Sequence, residues 1–174
     1  MKITNLVSTL MTAAIFTAAG FTVAKAEDNK QIKCLAMNIY HEARGENDLG
    51  QLSIAHVTLN RVNSKKFPNT VCKVVYQTKT DKNGKPIKHK CQFSWYCDGL
   101  SDKATNQKAW HKALFIAEAV YKNKNGNDDF KANDPTKGAL FYHSDSVQPE
   151  FTKHLNGITA KIGNHIFYAW DETW

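Results

Sequence analysis

The sequence lacks the short motifs that mark several common classes of enzyme. It has no H-E-x-x-H pair of a zinc hydrolase and no G-x-S-x-G nucleophile motif. No C-x₂-C pair is present, which disfavours a zinc site. It shows no internal repeat, no low-complexity tract, and no stretch after residue 26 long and apolar enough to cross a membrane. A nucleic-acid readout motif is also missing, so we expect no nucleic-acid partner.

The first 26 residues have the features of a secretory signal peptide. Lys2 supplies the charged start, no charge follows as far as Ala24, and Ala24-Lys25-Ala26 matches a small-residue cleavage pattern. An uncleaved anchor is the alternative. We therefore predict a signal at residues 1–26 and one domain at residues 27–174, exported to the periplasm, cell wall or extracellular space.

The net charge of the chain is +7, and removal of Lys2 and Lys25 with the signal leaves it basic. A basic exported protein favours anionic partners at the cell surface, such as peptidoglycan, teichoic acid or lipid headgroups. We expect a monomer with no stable membrane span once the signal has been cleaved.

The few cysteines in the chain all follow the signal. An even number of cysteines in an exported chain predicts two disulfides, for which three pairings are possible. We predict Cys72–Cys91, which would close the basic segment between them, and Cys34–Cys97.

The apolar periodicity predicts a mostly helical α+β domain with a small antiparallel sheet. Helices are expected from Asp28 or Asn29 to Gly45, from Asn47 or Asp48 to about Asn63, and over residues 102–125 with Ser101 as cap. Residues 70–77 fit a short helix or a strand, and residues 78–90 a basic loop with an Asn83-Gly84 turn. Residues 138–143 fit a strand, and residues 158–162 and 165–170 a hairpin around Gly163-Asn164.

Glu42 has the setting of a general acid. It lies beside the apolar stripe of the first helix, which is formed by Ile32, Leu35, Ala36, Ile39 and Ala43. It also lies close to the end of that helix, because Gly45 is a natural stop. Burial and the negative end of the helix dipole both raise the pKa of a carboxyl group there. A carboxyl that stays protonated is what cleavage of a glycosidic bond requires, although a solvated helix-end charge would give the same spacing.

Other chemistries remain open at this point. A two-carboxylate mechanism needs a partner for Glu42, and Glu46, Asp98 and Asp145 are candidates. A metal site could draw on four histidines, which can equally be structural: His41, His56, His143 and His165. Nucleophilic catalysis by serine or cysteine is weaker, because no serine motif is present and the cysteines are expected to be oxidised.

Several blocks of sequence together resemble the SleB/CwlJ-type cell wall hydrolases, which include the spore-cortex-lytic enzymes. The most specific block is N-I-Y-H-E-A-R-G-E at residues 38–46. Further blocks follow in order at residues 50–51, 59–62, 67–72, 75–77, 91–95, 138–139, 142–143 and 162–168. The resemblance thus covers about residues 32–168. The basic segment 78–90 and the lack of a peptidoglycan-binding repeat depart from the pattern.

This resemblance implies a lysozyme-like α+β domain that acts on peptidoglycan without a metal or cofactor. The best-studied members are lytic transglycosylases, which cut between N-acetylmuramic acid and N-acetylglucosamine. The catalytic glutamate of the family corresponds to Glu42 here. A lytic transglycosylase needs no second carboxylate, because the C6 hydroxyl of the muramic acid attacks C1 of its own ring and gives a 1,6-anhydro product.

The same resemblance suggests substrate-binding residues. Glu46 would bind substrate or tune Glu42, with an exposed cap of the next helix as its alternative. Gln51 would bind amide or hydroxyl groups of the sugars. Four further residues would converge on the cleft, each with a structural role as its alternative: Ser94, Tyr142, His143 and His165. An N-acetylmuramoyl-L-alanine amidase, which would normally require zinc, and a non-catalytic peptidoglycan-binding module are the alternative functions.

Overall fold

The computed structural model describes residues 11–124, 128–155 and 157–170, with side chains from residue 22 onward except at residues 125–129. In these ranges the helices are α1 (Met11–Ala43), α2 (Asp48–Asn63), α3 (Val71–Val75), α4 (Gln107–Lys122) and α5 (Asp128–Ala132). The strands are β1 (Thr78–Thr80), β2 (Pro86–Cys91), β3 (Phe141–Ser144), β4 (Ile158–Ile162) and β5 (His165–Tyr168). Two short 3₁₀ helices span Ser94–Cys97 and Glu150–His154. The predicted α+β class is confirmed.

Helix α1 is the central element, and its predicted start is wrong. We expected a cap at Asp28 or Asn29, but the helix continues through both residues without a break. Ala, Lys and Glu dominate residues 24–30 and favour helix. Asp28 instead accepts hydrogen bonds from the Tyr121 hydroxyl (2.9 Å) and the Lys124 ammonium (3.4 Å). No described helix carries an apolar stretch sufficient to span a membrane.

Helix α2 begins where the sequence predicts. The side chain of Asn47 caps it by accepting a hydrogen bond from the Gly50 N–H at 2.9 Å, and Asp48 follows in the first turn, where a negative charge suits the helix dipole. Leu59, Ile54 and Val57 are fully buried, as expected for a helix that is apolar on two sides. Of residues 70–77, Val71–Val75 form helix α3, and the Thr70 hydroxyl caps it.

Helix α4 begins five residues later than predicted. Asn106, not Ser101, caps it, by accepting a hydrogen bond from the Ala109 N–H at 3.0 Å. The segment before it is held in a non-helical conformation, because the ring of His41 hydrogen-bonds to the Asp102 carbonyl at 3.0 Å. The predicted end at Asn125 lies outside the described residues, and the helix ends at Lys122.

The three-stranded antiparallel sheet has the order β3-β5-β4. Its β4–β5 hairpin turns at Gly163-Asn164 as predicted, although β5 ends at Tyr168, not at Trp170. Strand β3 begins at Phe141, later than the predicted Gly138, because Gly138 has φ +81° and cannot lie in a regular strand. Pairing of Tyr142 with Phe167 brings β3 against β5.

The cysteine pairing differs from our prediction. The disulfides join Cys34 to Cys72 and Cys91 to Cys97. The first links α1 to α3, and the second links the end of β2 to the first 3₁₀ helix. Residues 78–90, predicted as a loop, form a two-stranded hairpin of β1 and β2 with the expected Asn83-Gly84 turn.

Two buried clusters place α1 between the other elements. The larger lies where α1 packs on α2, α3 and α4, and includes Leu35, Ile39 and Leu59. The smaller, which includes Ala43, Ile54 and Phe167, joins the end of α1 and the middle of α2 to the three-stranded sheet. The C-terminal end of α1 is therefore held from both sides, and Glu42 lies at that end.

Candidate active site

A cleft of about 420 Å³ opens beside the C-terminal end of α1. Five elements or connections contribute to its wall: α1, α2, β3, the chain around the first 3₁₀ helix, and the second 3₁₀ helix. Its lining residues are Glu42, Arg61, Cys91, Gln92, Phe93, Ser94, Phe141, Tyr142 and Phe151. Among the described residues that line it, Glu42 is the sole carboxylate. Neither Asp98 nor Asp145, the proposed second carboxylates, reaches this wall.

Glu42 is half-buried at the inner wall of the cleft. Burial raises the pKa of its carboxyl group, while a hydrogen bond from Tyr142 and the positive charge of Arg61 lower it. Burial is the largest of these effects, so the carboxyl holds its proton to a higher pH than an exposed glutamate does. The upward shift of the Glu42 pKa agrees with the sequence prediction.

Tyr142 of β3 lines the same cleft and donates a hydrogen bond from its hydroxyl to Oε2 of Glu42 at 2.9 Å. Burial and the nearby Glu42 charge raise the pKa of Tyr142 well above its usual range, so the phenol stays protonated and remains a donor. The sequence predicts a substrate contact for this residue, and the geometry adds a direct contact with Glu42. The edge of the His165 ring packs against Tyr142, with centroids 5.4 Å apart.

Arg61 lines the cleft, and our sequence reasoning gave it no role there. Its side chain on α2 is only 3% exposed, and its Nε–H donates to the Leu140 carbonyl at 2.8 Å. The guanidinium lies 5.2 Å from the centroid of the Phe93 ring and 5.9 Å from that of Phe141. Buried arginine without an adjacent carboxylate partner is costly, and this one supplies positive charge near Glu42. Its place in the L-N-R-V block was the available signal.

Glu46 and Gln51 lie next to the cleft but do not line it. Glu46 accepts a hydrogen bond from the Asn164 side chain at 2.9 Å and so holds the turn of the β4–β5 hairpin. Gln51 is buried and donates to the Glu46 carbonyl at 3.0 Å. Both residues therefore connect the start of α2 to the sheet in this structure.

Ser94 and the two histidines of the predicted set take different positions. Ser94 is exposed and lines the cleft at the start of the first 3₁₀ helix. His143 follows Tyr142 on β3 but does not line the cleft. Its Nδ1–H donates to the Ser144 carbonyl at 2.8 Å, and its Nε2 lies 2.9 Å from the Tyr168 hydroxyl. His165 stands behind Tyr142, and burial lowers its pKa.

The other two histidines of the candidate metal set make structural contacts. His41 stacks on Trp95 with centroids 4.5 Å apart, and His56 stacks on Phe130 and lies 3.7 Å from a carboxylate oxygen of Asp134. In the part of the chain that the structure describes, no three His, Cys, Asp or Glu residues cluster in a way that would hold a metal ion.

The cleft is continuous with two further hollows. It shares Phe141 and Phe151 with an apolar hollow of about 390 Å³, which His154, Leu155 and Trp170 complete. It also shares Cys91 and Gln92 with a hollow of about 270 Å³ at the base of the β1–β2 hairpin. The result is a set of connected hollows with one carboxyl of raised pKa in the wall, an arrangement suited to acid-catalysed cleavage of a polymer.

Comparison with known families agrees with a site for acid-catalysed cleavage of a polymer. The family model described as Cell Wall Hydrolase matches residues 45–168, and the chain belongs to that family. The resemblance to the SleB/CwlJ-type enzymes is thereby confirmed.

Similar curated proteins include spore cortex-lytic enzymes. The spore cortex-lytic enzyme of Bacillus cereus is 30% identical over 148 residues, which are 85% of this chain and 48% of that protein. That of Bacillus subtilis is 33% identical over 139 residues, 80% of this chain and 37% of that protein. The chain therefore spans less than half the length of these curated relatives.

Two solved structures match most of the described fold. The catalytic domain of the Bacillus cereus SleB protein is 32% identical with a TM-score of 0.52, over 79% of this chain and 88% of that one. The catalytic domain of the germination-specific lytic transglycosylase SleB from Bacillus anthracis is 32% identical with a TM-score of 0.55, over 79% and 93% of the two chains.

Proposed function

We propose that this protein is a lytic transglycosylase that cleaves the glycan strand of peptidoglycan between N-acetylmuramic acid and N-acetylglucosamine. The observation that carries the proposal is the single shielded carboxyl of Glu42 in a cleft continuous with two further hollows. The similarity to the catalytic domain of a lytic transglycosylase from Bacillus anthracis supports the reaction type.

In the proposed reaction Glu42 acts first as an acid and then as a base. Its carboxyl proton passes to the glycosidic oxygen, and the bond from that oxygen to C1 of the muramic acid breaks. The C6 hydroxyl of the same sugar then forms a bond to C1 and gives its proton to the Glu42 carboxylate. A 1,6-anhydro end results, no water is consumed, and the enzyme regains its starting protonation state.

Tyr142 and Arg61 assist each stage of this cycle. Because the phenol of Tyr142 bonds to Oε2 of Glu42, Oε1 is left to carry the proton toward the substrate. Once that proton has left, the hydrogen bond from Tyr142 and the nearby charge of Arg61 stabilise the carboxylate. Tyr142 and Arg61 lower the pKa of Glu42 by less than burial raises it. The carboxylate therefore stays basic enough to accept the proton of the C6 hydroxyl.

The cleft and the hollows continuous with it fit a polysaccharide. The apolar hollow presents Phe141, Phe151 and Trp170, and aromatic rings stack on the apolar faces of sugar rings. Ser94 lines the cleft and supplies a hydroxyl for hydrogen bonding. Substrate on both sides of the broken bond can therefore be held while Glu42 acts between the two halves.

We also propose that residues 1–26 direct export and that residues 27–174 act outside the cytoplasm as a monomer. The buried part of α1 begins at Gln31, after an exposed stretch at residues 22–30. Removal of the first 26 residues would therefore leave the described core intact.

The reaction is tested by the products released from purified sacculi. We expect disaccharide-peptides that end in 1,6-anhydromuramic acid, identified by mass spectrometry. Products heavier by one water would show hydrolysis and contradict the transglycosylase step. Free stem peptides would indicate an amidase, and binding to sacculi without any release would indicate a non-catalytic module.

A further inference from the structure

The β1–β2 hairpin is fixed firmly beside the cleft. At its base the Gln92 N–H donates to the Gln77 carbonyl at 2.8 Å, and Thr78 pairs with Cys91. Cys91 is also joined by a disulfide to Cys97, in the 3₁₀ helix whose first residue, Ser94, lines the cleft. The base of the hairpin therefore keeps a set position relative to Glu42.

A cationic hollow lies at this base. It is lined by Gln77, Thr78, Lys79, Lys90, Cys91 and Gln92, and therefore by two lysines and no acid. Both lysines are exposed, and neither ammonium group pairs with a carboxylate of the described residues. Two like charges beside one hollow repel each other, so an anion bound between them would lower the electrostatic energy.

The hairpin cannot neutralise these charges itself. Asp81 is the one acidic residue among residues 78–91. Its Oδ1 accepts hydrogen bonds from the backbone N–H groups of Asn83 (2.8 Å) and Lys85 (2.9 Å), so it is committed to the turn at the far end. The positive charge of Lys79 and Lys90 is thus left for a ligand.

The position of the hollow indicates which anion it binds. Because Cys91 and Gln92 line both the hollow and the cleft, a ligand that occupies one extends directly into the other. In peptidoglycan the muramic acid carries a stem peptide, and that peptide bears free carboxylates. A free anionic polymer or a lipid headgroup would have no need of a hollow continuous with the cleft.

We propose that Lys79 and Lys90 bind carboxylates of the stem peptide on the strand held in the cleft. Peptide-bearing glycan is then the preferred substrate over bare glycan. This inference rests on the glycan-cleaving function proposed above, and it assigns a role to the segment that departs from the family pattern.

The test compares Lys79→Gln/Lys90→Gln with wild type on three substrates. These are purified sacculi, sacculi stripped of stem peptides by an amidase and then amidated at the lactyl carboxylates that this cut exposes, and sacculi whose peptide carboxylates have been amidated. The matched control is Lys82→Gln/Lys85→Gln, which removes the same charge at the far end of the hairpin. Thermal unfolding checks that each variant folds, and the readout is the rate of release of anhydro-ended fragments.

We expect the ratio of rates on peptide-bearing and stripped glycan to fall about fivefold in the Lys79/Lys90 variant and to stay unchanged in the control. Amidation should lower the wild-type rate to a similar extent. An unchanged ratio, or an equal loss on stripped glycan, would overturn the proposal while leaving the transglycosylase intact. If wild type released no anhydro ends from any substrate, the proposed function would itself be wrong.

Discussion

Glu42, Tyr142 and Arg61 set the protonation of the site together. Burial of the glutamate favours its neutral form, whereas the phenol and the guanidinium favour the carboxylate. Burial also lowers the pKa of Arg61, and the negative charge of ionised Glu42 opposes this shift. A general acid that must later act as a base needs such a balance, since too stable an acid would not release its proton.

Replacement of Tyr142 by phenylalanine should shift the pH profile of the enzyme. The hydroxyl lowers the pKa of Glu42, so its loss raises that pKa further. Because Glu42 must be protonated for the first step, activity is lost as pH rises through its pKa. The alkaline limb of kcat/KM on sacculi should therefore move to higher pH in Tyr142→Phe, and the maximal rate should fall about tenfold or less.

The matched control is Tyr168→Phe in the same sheet. The hydroxyl of Tyr168 contacts His143 and not Glu42, so the alkaline limb of this variant should stay in place. An alkaline limb that stays in place or moves to lower pH in Tyr142→Phe would contradict the assigned hydrogen bond.

At the scale of elements, Glu46 connects the loop between α1 and α2 to the turn of the β4–β5 hairpin. The carboxylate bonds to Asn164 and lies against Gly163, where an added Cβ would collide with its Oε2. Gly163 also has φ +55°, in the left-handed region that favours glycine. The Gly163-Asn164 turn, from which the sequence predicted the hairpin, is thus also where Glu46 contacts the hairpin and holds β5 behind Tyr142.

Gly163→Ala should destabilise the fold more than a glycine replacement that lacks this contact. Gly138 is a suitable control, because it also has positive φ but has no atom within 4 Å of an added Cβ. We expect Gly138→Ala to cost about 1–2 kcal/mol from backbone strain. Gly163→Ala should cost about 2–4 kcal/mol, because the clash also disturbs the hydrogen bonds of Glu46.

Urea unfolding of both variants measures this difference, and repeating it in a Glu46→Ala background isolates the Glu46 contact. The excess loss at Gly163 should vanish in that background. Equal losses at the two glycines in the natural background would show that Glu46 does not restrain the turn.

At the scale of the whole molecule, local signals in the sequence predicted the elements that depend on local chemistry. Asn47 caps α2 whatever packs around it, and Gly163-Asn164 turns a hairpin by its own backbone preferences. The pKa direction of Glu42 followed from the helix periodicity together with the helix end expected at Gly45. These features need few long-range contacts to be specified.

Features set by tertiary contacts were missed. Both Ser101 and Asn106 can cap a helix, and the contact of His41 with Asp102 decides between them. The cysteine pairing depends on where α3 and the β1–β2 hairpin pack, which spacing does not reveal. The sequence analysis gave Arg61 no role, and aromatic rings enclose its guanidinium in the fold.

The residues predicted for the site fall into two groups, those that line the cleft and those whose side chains make contacts inside the protein. Tyr142 and Ser94 come from distant parts of the sequence and line one cleft with Glu42. Gln51, His143 and His165 are occupied by contacts within the protein in this structure. A motif block indicates that its residues matter together, while the direction of each side chain comes only from the packed fold.

The rate of sacculus digestion by Glu42→Gln tests the central claim most directly. Glutamine keeps the size of the side chain and can accept the hydrogen bond of Tyr142, but it cannot donate or accept the catalytic proton. Glu118→Gln, a change at a half-exposed carboxylate that pairs with Lys122 on α4, is the matched control. Both proteins should be checked for native folding by circular dichroism before the rates are compared.

The account predicts that Glu42→Gln releases soluble fragments at least a hundredfold more slowly than wild type, while Glu118→Gln matches it. A Glu42→Gln protein that is folded and digests sacculi at the wild-type rate would contradict the account, because no other described carboxylate lines the cleft.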